Sequence, residues 1–381
     1  MINLEYQNRS CDCCLEASNT EELWKFKYAA CGRSDRYQFD VRNVICCDCG
    51  FVFVSPAPTS ESLAQYYSDT FPLWENLKLD FNVGTRLEFI RKHTRGNGLI
   101  VEIGCSKIGE FQKRLSDVFS QVITMDVNQN VNSDYHSAVE LPKGKADMVV
   151  HYFVMEHITH VRQFLGNCYD LLKPDGIMLC EMPDLGKYPN DPSGLVVYEH
   201  TNHFSIKTLT RIAGCCGFEL LEASAEKCSR PFGFSAAFVK SSISEGPRIS
   251  FYSENKNLFL RGVQKAATLR KVFDQAWESL QEFKAEGKKV VFWAANECLS
   301  RFLDGREVPD SIVIIDSNPA KKFFSPQFRV KLPVAAANDI RDSDVIFIFS
   351  KIHAEDILLS IARNHGKTYP ADNVVIVSDL P

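Results

Sequence analysis

No apolar run in this 381-residue chain approaches the roughly 18 residues that a membrane-spanning helix needs. Its opening residues 1–10 lack the apolar core of a secretory signal. These absences argue against a helical membrane protein and place the expected site of action in the cytoplasm. Basic charge is not in excess either. The 43 Lys and Arg stand against 48 Asp and Glu, a net charge of -5, and no Lys/Arg cluster of the kind that binds phosphate backbones is present, so nucleic acid is not an expected partner. Solenoid-type repeats and low-complexity segments are also missing. With 45% hydrophobic and 24% charged residues, the composition is that of a globular protein long enough for two or three domains, each with its own core.

Cysteine is the exception. The chain has 14, half of them within the first 49 residues and the rest scattered through apolar segments. In a reducing compartment that distribution favours metal binding near the N-terminus and buried free thiols elsewhere. Cys11-x-x-Cys14 and Cys46-x-x-Cys49 have the spacing that lets both thiolates of each turn face one tetrahedral ion at roughly 2.3 Å. Four thiolates close the coordination sphere, so the ion is expected to be structural zinc. Cys13 and Cys47 could substitute only by crowding a knuckle. A nucleic-acid-binding zinc ribbon would need basic residues interleaved with aromatics, which the knuckles lack.

Three regions are expected: a four-cysteine zinc module over 1–75, a Rossmann-like α/β domain over 76–240, and a second, smaller Rossmann-like domain over 241–381. From Phe81 a helical pattern leads into "GLIVEIGCSKIGEFQKRL", an apolar strand, a glycine turn and an amphipathic helix. Strands at "QVITMDV", "ADMVVHYFVMEH" and "KPDGIMLCEMPD" continue an alternation that implies a parallel sheet with helices on both faces. "SSISEGPRIS" reads as a linker. Leu269, Val272, Phe273, Trp277, Leu280 and Phe283 then form a helical stripe, and further strands follow at "KKVVFWAA", "SIVIIDS", "DVIFIFS" and "NVVIVSD", with a helix at "AEDILLSIARNHG".

The glycine turn selects the cofactor class. Gly104 to Gly109 has P-loop spacing, but Glu110 and Phe111 stand where Lys and a hydroxyl must meet phosphate and magnesium. A dinucleotide fingerprint fails at Ser106, which holds the middle glycine position. What remains is Glu102 before the turn and Asp126 after the next strand, a carboxylate suited to both hydroxyls of a ribose. An adenosine ligand without phosphates points to S-adenosylmethionine.

In order and spacing, "VEIGCSKIGEF", "ITMDV", "AVELP", "ADMVVHYFVMEHI" and "LLKPDGIMLCEMPD" resemble the motifs of class I S-adenosylmethionine-dependent methyltransferases over residues 99–184. The resemblance implies that Gly104 and Cys105 line the methionine end, Asp126 binds the ribose, Val127 and Glu140 flank the adenine, and Tyr152 approaches the methyl donor. Glu102 and Gly109 complete the cofactor set. The glycine loop is one residue longer than the usual pattern, with Lys107 and Ile108 inside it. Across nearly the whole chain, the four-cysteine module ending in "CGFVFVSPAP", the methyltransferase core and a Rossmann-like C-terminal part resemble sugar C-methyltransferases acting on nucleotide-linked deoxysugars. In that C-terminal part Trp293 and Asn296 replace glycines of the family.

"VVYEHTNHFS" resembles the family's substrate-closing loop. Methyl transfer is an in-line displacement that needs the acceptor held close and its proton removed. The expectation is His200 as general base, Glu199 as its supporter or a substrate ligand, and Tyr198 as a hydrogen-bond donor, with His203 in reserve; the bland alternative has His200 capping a turn and His203 packed in an interface. Neither "YEHTNH" nor "VMEHITH" fits a zinc-protease pattern. Tyr66 and Tyr67 in "QYYSDTFPLWENL" are the candidates for the family's tyrosine-rich substrate segment, whose poor match leaves oxygen as well as carbon open as the methyl acceptor. The expected activity is transfer of a methyl group to a small-molecule sugar, nucleotide-linked; the rival is a zinc-bearing binding or regulatory protein with an inactive core.

Overall fold

The computed structural model describes residues 2–14, 19–31, 36–74, 82–105, 109–243, 249–303, 306, 312–318, 322–324, 332–350 and 353–377. The chain forms two compact units, Met1–Ala30 with Ser34–Lys265, and Cys31–Arg33 with Ala266–Pro381.

The first unit is built on a six-stranded sheet of β1 (Leu99–Ile103), β2 (Gln121–Met125), β3 (Ala146–Tyr152), β4 (Leu172–Pro183), β5 (Phe218–Ser224) and β6 (Gly233–Lys240). The order is β5-β6-β4-β3-β1-β2. The strands from β4 to β2 run parallel, while β6 is antiparallel to β4 and β5 to β6. Period-2 alternation decides which side chain faces which layer. Leu99, Val101 and Ile103 of β1 join α4 (Val161–Leu171) and α5 (Ile206–Gly214) on one face. Ile100 joins Leu87 and Ile90 of α2 (Val83–His93), the helix after α1 (Ser60–Trp74), and Phe111 of α3 (Glu110–Leu115) on the other. Helices on both faces are what strands without a polar side require.

A smaller sheet in the same unit pairs Arg36–Cys46 with Thr20–Cys31, Ile2–Asn3 and Val52–Val54, and Val52–Val54 in turn pairs with Asn202–His203. Asn202 lies opposite Phe53 and His203 opposite Val52. The N-terminal sheet thus takes its last strand from a segment about 150 residues downstream. Cys11, Cys46, Cys49, Phe51 and Phe53 pack in the same continuous core as Phe204, Leu209 and Met178.

Helix Tyr252–Ala285 passes from the first unit into the second at Lys265. Its expected stripe is present, with Phe273 and Leu280 buried and Trp277 and Phe283 packed beside them. The second unit has parallel strands Val290–Trp293, Val313–Ile315, Leu332–Ala335, Val345–Ile348 and Val374–Ile376, and an antiparallel edge, Phe323–Phe324. The strand at "LPVA" has no counterpart in the sequence reading, because four residues with a proline carry no usable periodicity. The centre of the linker, residues 244–248, lies outside the described residues.

Candidate active site

The carboxyl ends of β1 and β2 carry most of the expected cofactor residues. Gly104 leaves β1 with a left-handed φ of 75°, and a Cβ there would lie 2.4 Å from Val154 Cγ2, so only glycine fits. Glu102 is buried, accepts from Gln112 Nε2 at 2.8 Å, and its carboxyl is pushed up to about 7 by that burial. Gly109 opens α3 and donates its N–H to Gln112 Oε1 at 2.8 Å, so one glutamine braces both ends of the turn. Ser106, Lys107 and Ile108 of the loop lie outside the described residues. Cys105 is buried against Val131. Asp126 follows β2 with Oδ1 accepting from the Asn128 N–H at 2.9 Å. Val127 is 62% exposed, and Glu140 is exposed in the turn Ala138–Glu140. Tyr152 ends β3 with its ring 3.9 Å from the Arg86 guanidinium and edge-on to Phe111, a packed position at the rim of the sheet.

The second cluster lies past the carboxyl ends of β3 and β4. Phe153 leaves β3 with φ 56° and turns the chain into a 3-10 turn, Met155–His157. The loop after β4 is tied onto this turn: Thr201 N donates to Glu156 O at 2.7 Å, and Asn202 Nδ2 to Met155 O and Ile158 O at 3.0 and 2.7 Å. His200 is buried with Nδ1 2.7 Å from the Gly194 carbonyl. A carbonyl only accepts, so Nδ1 carries the hydrogen and Nε2 keeps its lone pair. Burial, together with neighbouring His157, holds this imidazole well below the usual histidine range.

The residue beside His200 is His157, ring to ring at 4.8 Å. Its Nδ1 lies 3.2 Å from Tyr67 Oη and its Nε2 4.0 Å from Glu156 Oε1. Glu156 is fully buried, neither carboxylate oxygen has a hydrogen-bond partner among the described residues, and burial pushes it up to about 8. Glu199, expected as supporter of His200 or as a substrate ligand, is turned to a tyrosine. Its carboxyl bonds Tyr66, which also meets Tyr198 Oη at 2.9 Å, and burial pushes it up to about 7. Helix Ser60–Trp74 therefore delivers both Tyr66 and Tyr67 to this cluster. His203 has no free nitrogen: Nδ1 meets Tyr188 Oη and Nε2 meets Asn43 Oδ1, each at 2.8 Å. The sequence reading does not single out Glu156 and His157, because "VMEHITH" fits no protease pattern. A Glu-His pair directly after an apolar strand end is the available signal.

Cys11, Cys14, Cys46 and Cys49 bring their sulfurs within 4.8 Å of one another. Cys11 and Cys49 are 3.5 Å apart, Cys14 and Cys46 3.9 Å. Sulfurs at the corners of a tetrahedron around zinc stand about 3.8 Å apart. Cys13 is buried against Cys49, while Cys47 is outside the group. Glu156, His157 and His200 also place ligand atoms within 4.8 Å of one another. In the second unit Asn296 caps the helix Glu297–Phe302 and donates Nδ2 to Phe349 O, while Trp293 is buried in the core.

Residues 78–223 match the family model described as a methyltransferase domain. A Mycolicibacterium smegmatis protein named "Probable S-adenosylmethionine-dependent methyltransferase" is 27% identical over 135 residues, 32% of this chain and 52% of that protein, so the chain spans about half the length of this curated relative. Among solved structures, an S-adenosylmethionine-dependent methyltransferase from Mesorhizobium loti is 14% identical, with 42% of this chain and 100% of that chain covered and a TM-score of 0.34. The Burkholderia thailandensis 1,6-didemethyltoxoflavin-N1-methyltransferase is 12% identical, with 51% and 98% covered and a TM-score of 0.39. Residues 78–223 are a methyltransferase domain of the S-adenosylmethionine-dependent class.

Proposed function

We propose that the chain is a methyltransferase that moves the methyl group of S-adenosylmethionine to a sugar, nucleotide-linked, at carbon or at a hydroxyl, and that it carries one structural zinc on Cys11, Cys14, Cys46 and Cys49. The observation that carries the reading is His200: a buried, neutral imidazole whose hydrogen is fixed on Nδ1 by Gly194, leaving Nε2 as an acceptor past the carboxyl ends of β3 and β4. Ligands of open α/β sheets bind there.

Asp126 would take the ribose hydroxyls and Glu102, Gly104, Cys105 and Gly109 the turn beneath the methionine end. Exposed Val127 and Glu140 would flank the adenine, with exposed Val139 next to Glu140 left to be covered. The cofactor supplies an electrophilic sulfonium methyl. His200 Nε2 takes the acceptor's proton, Tyr66 and Tyr198 share hydrogen bonds that orient the acceptor's oxygens, and Tyr67 fixes His157 beside the base. The S–S separations near those of a tetrahedral thiolate site support the zinc, which has no open position and therefore a structural role.

The test is His200→Ala. Cofactor affinity by calorimetry should stay the same while turnover falls by about two to four orders of magnitude, the usual worth of general base catalysis. Retained turnover would reject His200 as the base. No binding of S-adenosylmethionine by the wild type at millimolar concentration would instead favour a binding or regulatory protein. A mass-spectrometric screen of nucleotide sugars for a single methyl gain identifies the acceptor.

A further inference from the structure

Arg230 is a half-buried cation that lies near Glu156 and Glu181, which favour its charge, and near Arg86, which opposes it. Its guanidinium has no ion pair or hydrogen bond among the described residues, and its Nε is sealed from solvent. It lies 4.8 Å over the ring of Phe153 and 5.8 Å over that of Phe232, which contact each other at 5.5 Å. Aromatic faces hold a cation in place but do not neutralise it.

The acids nearby attract Arg230 at a distance, and neither bonds it directly among the described residues. Glu181 already accepts four hydrogen bonds, from Arg86 Nε, Ser229 N, Ser229 Oγ and Ser235 Oγ. Glu156 is buried without any hydrogen bond and makes no ion pair with Arg230. A guanidinium held by aromatic faces, with no direct bond to a carboxylate, keeps its remaining N–H donors for a ligand of opposite sign.

Its location says which ligand. Phe153 is the residue that leaves β3 toward Glu156 and His157, and Phe232 O accepts from Asp184 N at the end of β4. Arg230 therefore stands over β3 and β4, whereas Asp126 ends β2 on the far side of β1. The cofactor's ribose and the arginine are on opposite sides of the point where the strand order reverses. We propose that Arg230 anchors an oxyanion of the acceptor, a carboxylate or a phosphate, holding it against the Phe153–Phe232 wall on the His200 side of the sheet. The proposal rests on reading that side as the acceptor site, and it narrows the acceptor class to sugars bearing an anionic group close to the methylated position.

The experiment titrates the full chain by calorimetry at low ionic strength with glucose 1-phosphate, glucuronate and glucose. The wild type should bind at least one of the two anions at least tenfold tighter than glucose. Binding of only the phosphate ester or only the carboxylate identifies the source of the oxyanion, and either supports the proposal. Arg230→Gln should erase the preference, weakening the anion by roughly tenfold to a hundredfold as charge-assisted bonds are lost, and Arg230→Lys should restore part of it. A parallel titration with S-adenosylhomocysteine should be the same for wild type and both variants, which also verifies that the variants are folded. An anion preference surviving in Arg230→Gln, or neither anion binding the wild type at tens of millimolar, overturns the proposal. So does a loss confined to S-adenosylhomocysteine, which would place the cofactor's carboxylate on Arg230. Failure of the methyltransferase reading shows separately, as a wild type that binds no S-adenosylhomocysteine while its anion titrations remain readable.

Discussion

His151 sits fully buried in β3 with neither ring nitrogen hydrogen-bonded to any described residue, its ring edge-on to Phe164 at 5.0 Å. Burial lowers it to about 3. A depressed histidine contributes stability that is whole above the ordinary range near pH 6.5 and drains away as pH falls toward the folded value. His151→Leu removes two unsatisfied polar atoms at similar volume, so it should stabilise the first unit by about 1 kcal/mol and lose less stability than wild type between pH 7 and pH 5. Thermal melts at the two pH values check it; a destabilised variant would mean that the imidazole is satisfied in solution. For Asp126, substitution by Ala should weaken cofactor binding by roughly 1 to 3 kcal/mol, the worth of charge-assisted bonds to a ribose, and an unchanged dissociation constant rejects the ribose assignment. At this scale the sequence was informative where a residue type has one chemical use. Two Cys-x-x-Cys pairs, a carboxylate after the second strand and Gly104 needed no coordinates. Arg230, His157 and Glu156 did, since the groups around them come from segments distant in the chain, as Tyr67 does at His157.

Among the elements, the strands of the central sheet were legible because both of their faces are apolar and the helices between them are periodic. The short strand Asn202–His203 was not. It exists only because Val52–Val54 lies beside it, a pairing with no trace in local pattern. The 3-10 turn Met155–His157 is a similar case, and it carries a testable property. Glu156 in this turn and Glu199 in the loop beyond β4 are pushed up to about 8 and about 7 by burial. An acid whose folded value is raised contributes stability that is complete below the unfolded range near 4.5 and lost as pH rises through the folded value. The contribution of these acids to the melting temperature should therefore fall between about pH 4.5 and about pH 8, and Glu156→Gln should flatten that fall. Identical pH dependence in the variant would show that Glu156 is ionised throughout. Arg9 ties the first knuckle to the same loop, donating NH1 to Thr201 O at 3.1 Å and NH2 to Asn202 Oδ1 and Asp12 Oδ2, each at 2.9 Å. Arg9→Met keeps the packing stem and removes these bonds. It should lower turnover by loosening the His200 loop while leaving cofactor affinity intact; steady-state kinetics beside a cofactor titration separate this from general unfolding.

For the whole molecule, one hydrophobic cluster of the first unit runs from the cysteine knuckles to β6, since Cys11, Cys46 and Cys49 share it with Phe234 and Phe238 of the methyltransferase sheet. The family match begins at residue 78, after the segment that supplies the partner strand of the His200 loop. Stripping zinc with a chelator under mild denaturation, or changing Cys46 to Ser, should thus remove soluble protein and not turnover alone. Metal analysis of protein purified without chelators should find one zinc per chain, and none would reject the site.

The pairing of Val52–Val54 with Asn202–His203 also sets an order of events on the ribosome. At about 5 to 20 residues per second, roughly 7 to 30 s separate emergence of the two strands. During that interval Phe51 and Phe53 have no cover from Phe204, and the thiols that end at 0% exposure, Cys11, Cys46 and Cys49, are open to solvent. Acquisition of the proposed zinc would then be a step of synthesis. A chain completed in zinc-starved cells would close over empty thiols, and adding the ion later would require reopening the loop that holds His200.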